Sequence, residues 1–80
     1  MPVVLRIGLY RFFFYSNENG EPAHIHVQRE RALAKFWLRP MALASSTGFG
    51  AAELGRLFCI VQEHATEFEK AWNEFFGTAN

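Results

Sequence analysis

Hydrophobic and polar positions alternate along the first half of the chain and recur at helical spacing along the second. Between Val3 and Leu38, short runs rich in β-branched and aromatic residues are separated by turn signals, the pattern of an antiparallel meander. Four strands are predicted, at about Val3–Ile7, Tyr10–Tyr15, His24–Arg29 and Ala32–Leu38. Gly8 permits a tight first turn, Ser16 to Pro22 form a longer loop around Asn19-Gly20, and the stretch from Gln28 to Arg31 makes the last connection. Side chains alternate across a strand, so a core face sorts each run into two sets. Ile25 and Val27 go inward, which turns His24, His26 and Gln28 outward. Ala34, Phe36 and Leu38 go in, and Lys35, Trp37 and Arg39 out. The run Tyr10-Arg11-Phe12-Phe13-Phe14-Tyr15 is apolar on both faces; Tyr10, Phe12 and Phe14 are assigned inward, Arg11, Phe13 and Tyr15 outward. Leu5 and Ile7 go in and Arg6 out.

Gly50-Ala51-Ala52-Glu53 stands where a capping box would, with Phe49 placed to staple onto Leu54. Leu54, Phe58, Val61, Ala65, Phe68, Trp72 and Phe75 then follow at alternating spacings of four and three, with Gly77 as a stop. A straight helix over 51–76 would run about 39 Å, against about 20 Å for a sheet of six-residue strands. The helix therefore bends near Glu63–Thr66, or another copy covers its far end at Trp72, Phe75 and Phe76. The expected architecture is α+β: a four-stranded antiparallel β-meander followed by one long or bent C-terminal helix packed on one sheet face, in a single domain over 1–80.

Composition narrows the class. Eighty residues, half of them hydrophobic, leave room for one core, and an aromatic content of 16% supplies its density. Cys59 stands alone, which excludes an intramolecular disulfide and a cysteine-based zinc site and points to a reducing, cytoplasmic setting. No apolar run reaches membrane-span length, and Arg6 interrupts the start of the chain, so neither insertion nor a cleavable leader is expected. The formal charge is zero, yet residues 1–40 hold six basic groups against three acidic, and residues 41–80 hold two against five. The chemistry is sought on the basic half.

His24 and His26, two apart on a strand, would project about 6.5 to 7 Å apart from one face, as a general acid and a general base on a phosphodiester require. An unperturbed imidazole titrates near pH 6.5, so both protonation states are at hand. Lys35 would stabilise charge developing on the phosphate, with Arg11 and Arg39 as further cations. Phe13, Tyr15 and Trp37 could stack unpaired bases. No cofactor and no metal are expected, because the two histidines find only Glu21 nearby and zinc wants three or four ligands. The bland alternatives are solvated or partner-facing histidines, edge-protecting Lys and Arg, His64 at the margin of the helical stripe, and an inert Cys59.

Val4-Leu5-Arg6-Ile7-Gly8, Tyr10-Arg11-Phe12-Phe13-Phe14-Tyr15-Ser16-Asn17-Glu18, Glu21-Pro22-Ala23-His24-Ile25-His26-Val27 and Ala34-Lys35-Phe36-Trp37-Leu38, with Glu53-Leu54 and the closing Ala71-Trp72-Asn73-Glu74-Phe75-Phe76, carry a resemblance. Over essentially its whole length the chain resembles a small bacterial domain of unknown function (four-one-six-zero), the DhiT-like toxins. That resemblance implies the toxin of a type II toxin-antitoxin pair, with a cognate antitoxin encoded beside it. Gly50, where similar sequences tend to have Ser, and Arg29-Glu30-Arg31, where they tend to have a Gly-containing turn, are departures. Two functions follow as expectations. The first is a toxin that binds RNA, or cleaves it without metal, through a basic and aromatic sheet face. The second is a non-catalytic module that pairs with the antitoxin or inhibits a cellular protein.

Overall fold

In a computed structural model, residues 3–17 and 20–77 are described. Five strands come first: β1 (Val3–Ile7), β2 (Tyr10–Phe13), β3 (His24–Arg29), β4 (Ala32–Leu38) and β5 (Met41–Thr47). Two helices follow, α1 (Ala51–Glu63) and α2 (Ala65–Phe76). The strands form one antiparallel sheet in the order β1-β2-β3-β4-β5, an uninterrupted meander. The α+β class and the antiparallel sheet agree with the sequence reading. The expected count of four strands is corrected to five, and the single helix to two.

The fifth strand was missed because Met41-Ala42-Leu43-Ala44-Ser45-Ser46-Thr47 neither alternates nor is rich in β-formers, and most of it is exposed. A turn at Arg39-Pro40, whose peptide bond is cis, reverses the chain so that Leu38 pairs with Met41. After β5 the chain passes so close to β4 that a Cβ on Gly48 would sit 3.1 Å from the Ala32 Cα, and Gly48 has φ 87°. Only glycine fits there without strain.

One sheet face is the core. Phe12, Val27 and Ala34 lie in register across three strands, and Ile25 pairs with Phe36 beside them. Leu57 and Val61 from α1, and Phe68 and Trp72 from α2, close over this face, with Phe12 stacked on Phe68 at 5.6 Å. Each such buried side chain stabilises the fold by about 1.5 to 3 kcal/mol. The stripe Leu54, Phe58, Val61, Phe68, Trp72 is thus the packed side of the helical region, as its spacing predicted. Ala71 and Phe76 pack against the same core, whereas Phe75 stays 48% exposed.

The helical region breaks at His64, inside the segment where a bend was expected. His64 has φ −104° and ψ 11°, outside helical geometry. Its N–H still reaches the Ile60 and Val61 carbonyls at 3.1 and 3.2 Å, and its carbonyl accepts the Phe68 N–H at 2.9 Å. One residue out of line turns the helix back over a sheet that a straight rod would overrun. The β2 strand also ends earlier than expected, at Phe13, because Phe14 leaves the ladder to pack against Trp72, Phe75 and Phe76.

Candidate functional site

The sheet face away from the helices carries three registered rows. Arg6, Arg11, Gln28 and Leu33 form one, Phe13, His26 and Lys35 the next, and His24 with Trp37 the third. Strand register therefore keeps the assigned orientation: His26, Phe13, Lys35 and Trp37 lie opposite the helix-covered core, and His24, on the same side of its strand, also reaches α2 at the sheet's end. The expected exposure does not hold. His24 is 0% exposed, His26 6% and Phe13 1%, a correction that follows from how the β2–β3 connection folds.

That connection returns across the face. Tyr15 packs edge-on to His26 at 4.8 Å between ring centres and to Phe13 at 5.3 Å, while His26 stacks on Phe13 at 5.4 Å. The two histidine rings meet at 5.1 Å, nearly perpendicular. His24 also touches Trp37 at 5.6 Å and reaches Trp72 of α2 at 4.8 Å. The His24 Nδ1 donates to the Pro22 carbonyl at 2.9 Å. These contacts make the pair of imidazoles the filling of an aromatic cluster rather than a pair standing in solvent.

Lys35 lies beside that cluster but is committed twice. Its ammonium meets the Glu21 carboxylate at 2.6 Å and sits 4.4 Å from the centre of the Trp37 ring. Glu21 also approaches the His24 Nδ1 at 3.9 Å. A carboxylate thus enters a face whose strands supply none, because the loop delivers it. Arg39 is corrected as well. It stands in the turn after β4 and donates to both Glu69 oxygens at 3.0 and 3.2 Å, so it braces α2 rather than joining the outer face. The Glu69 hydrogen bond and charge hold its guanidinium pKa above the ordinary value.

A second charged cluster ties the sheet to α1. Arg29 donates to both oxygens of Glu53 at 3.0 Å, and the Tyr10 hydroxyl donates to the same carboxylate at 2.5 Å. The hydrogen bond from Arg29, then that from Tyr10, hold the Glu53 carboxyl below its usual range. Tyr10 is raised in turn, first by its bond to Glu53 and then by burial. Glu53 in the first turn of α1 also faces the positive end of the helix dipole.

Apart from Lys70 on α2, the cations that remain lie toward the opposite end from the β2–β3 loop. In an antiparallel meander the β1–β2 and β3–β4 turns share one end of the sheet. Arg6 and Arg11 are direct cross-strand partners there, two like charges in register. Among the described residues neither has a carboxylate within ion-pair distance. Arg11 donates to the Gln28 side-chain oxygen and lies 5.2 Å from the Phe13 ring centre, and Gln28 donates onward to the Glu30 carbonyl at 3.1 Å. Exposed Arg31 adds to this end, and Arg56 of α1 is close enough to favour the ionised Glu53.

A cleft of about 270 Å³ opens between the two turns, lined by Arg6, Leu9, Arg11, Gln28 and Glu30. Of these only Arg11 was a site residue expected from the sequence. Arg6, Leu9, Gln28 and Glu30 were missed because each belongs to the site only through strand register. The Gly8-Leu9 turn was the available signal, since it forces Arg6 opposite Arg11. Among the described residues no three His, Cys, Asp or Glu side chains gather as a metal ion would require. Among the described residues no helix is long and apolar enough to cross a membrane.

A family model described as a domain of unknown function, DUF4160, matches residues 10–73, which hold every strand but the first and most of both helices. No curated protein and no solved structure matches the chain.

Proposed function

The chain belongs to the DUF4160 family, and from that premise we propose that it is an RNA-binding domain, the toxin of a bacterial toxin-antitoxin pair, which occupies its target without cutting it. One observation carries the reading: the basic residues divide into two sets. Arg29, Lys35 and Arg39 are held by Glu53, Glu21 and Glu69, whereas Arg6, Arg11, Arg31, Arg56 and, on α2, Lys70 have no ion pair among the described residues. A like-charged cross-strand pair destabilises a sheet, and two such arginines left unneutralised suit an anionic ligand. Phosphate contacts from arginine provide most of the affinity of sequence-independent RNA binding.

Burial of His24 and His26 supports binding over cleavage. A general acid or base must come within about 2.6 to 3.2 Å of the proton it moves, and rings this enclosed do not meet that requirement at the surface. The test is growth on inducing the chain alone, beside Arg6→Glu/Arg11→Glu and His24→Ala/His26→Ala variants checked for folding by circular dichroism. Arrest with intact total RNA, lost in the arginine variant, is the expected result. RNA fragments that vanish in a folded histidine variant would restore the ribonuclease reading.

A different surface favours a second reading. Val3, Val4, Phe14, Ala71, Glu74 and Phe75 line an apolar cleft between β1 and α2, with Phe75 half exposed. Such a cleft suits an aromatic-anchored protein contact, the antitoxin or a second copy. Arrest that survives Arg6→Glu/Arg11→Glu but fails with Phe75→Ser would favour it.

A further inference from the structure

The cleft between the two hairpin turns contains more than cations. Glu30 stands in the β3–β4 turn with φ 56°, a left-handed conformation that glycine adopts freely and a glutamate only at a cost. Its side chain is 81% exposed, and its one ion pair among the described residues is a loose 3.7 Å approach to Arg29 Nη1. The stronger bonds of Arg29 go to Glu53. Gln28 fixes both sides of the cleft, accepting from Arg11 and donating to the Glu30 carbonyl. Leu9, 78% exposed on the β1–β2 turn, gives the cleft an apolar wall.

We propose that this cleft is a subsite for one unpaired guanine nucleotide of RNA, with its phosphate on Arg6 and Arg11, its base against Leu9 and its Watson–Crick edge on the Glu30 carboxylate. The proposal rests on the RNA-binding reading above. A carboxylate offers two acceptors and no donor, and the Watson–Crick edge of guanine offers two adjacent donors, N1–H and the N2 amino group. Adenine, cytosine and uracil each set an acceptor beside a donor on that edge, so each brings a lone pair against Glu30. Specificity thus comes from repulsion of the wrong bases as well as attraction of the right one. In a duplex that edge is already paired, which restricts the subsite to single strands and loops.

The test uses the full chain and short fluorescent oligouridine strands carrying one central guanosine, inosine, adenosine or cytidine, titrated by anisotropy. The guanosine strand should bind about tenfold or more tighter than the adenosine and cytidine strands, as a bidentate contact allows. Inosine, which lacks the N2 amino group, should fall between. Glu30→Gln should abolish the preference, and so should Glu30→Gly, which relieves the backbone and therefore folds at least as well. Arg6→Ala should weaken every strand alike. Equal binding of all four strands, or a guanosine preference that survives in both Glu30 variants, would overturn the subsite and leave RNA binding standing. No binding of any strand would overturn both.

Discussion

Where the β2–β3 loop lies over the sheet, Lys35 has Glu21 at 2.6 Å, and His24 and His26 are enclosed by Phe13, Tyr15, Trp37 and Trp72. At the other end, Arg6 and Arg11 face each other across a ladder rung, Leu9 stands in solvent and Glu30 holds a left-handed backbone. Both ends use cations, aromatic or apolar groups and a carboxylate. They differ in whether the groups satisfy one another. Mutual satisfaction is what stability selects, and groups whose interactions within the chain are incomplete are candidates for binding a ligand.

The sharpest way to break this comparison is to remove the core that both ends share. Phe12→Ala deletes a fully buried ring stacked on Phe68 and should cost about 3 to 5 kcal/mol, read as a fall in the urea midpoint. At the closed end, His24→Ala and His26→Ala should each cost roughly 1 to 3 kcal/mol, as truncation of a buried, packed side chain does. Unchanged stability in either would show that the cluster is not holding the loop.

The Arg29–Glu53–Tyr10 clamp sets a smaller, pH-dependent term. Glu53 has its folded pKa lowered from 4.5, so its contribution is present above that value and is lost as pH falls through the lowered pKa. Glu53→Gln should therefore be less stable than the parent at neutral pH, and the two urea curves should converge in acid. A gap that stays constant down the pH scale would contradict the clamp. The smallest effect belongs to Glu21→Ala, which removes a partly exposed ion pair and should cost about 0.2 to 1 kcal/mol, shrinking with added salt.

Three strands, β1, β3 and β4, and the assignment of their two faces were legible in the sequence because Ile25-His26-Val27 and Ala34-Lys35-Phe36 alternate without ambiguity. The break at His64 was legible as one of two ways to fit a helix longer than its sheet, the other being cover of the far end by another copy. Local pattern failed where the determinant was non-local. Ala42-Leu43-Ala44-Ser45 becomes a strand because β4 offers it an edge, not by propensity. His24 and His26 alternate as surface residues do, and contacts from outside their own strand bury them: Tyr15 of the returning loop, Phe13, Trp37 and Trp72. The site suffered from the same limit. Arg39 and Lys35 looked like free cations until Glu69 and Glu21 arrived from elements distant in sequence.

The central claim, that Arg6 and Arg11 bind RNA phosphates, is tested most directly by measuring affinity for a single-stranded RNA across a range of salt concentrations in the parent, Arg6→Ala and Arg6→Ala/Arg11→Ala. The account predicts a steep linear fall of log affinity with log salt in the parent, with the slope flattening by about 0.7 for each arginine removed. Slopes that coincide in all three proteins would contradict it.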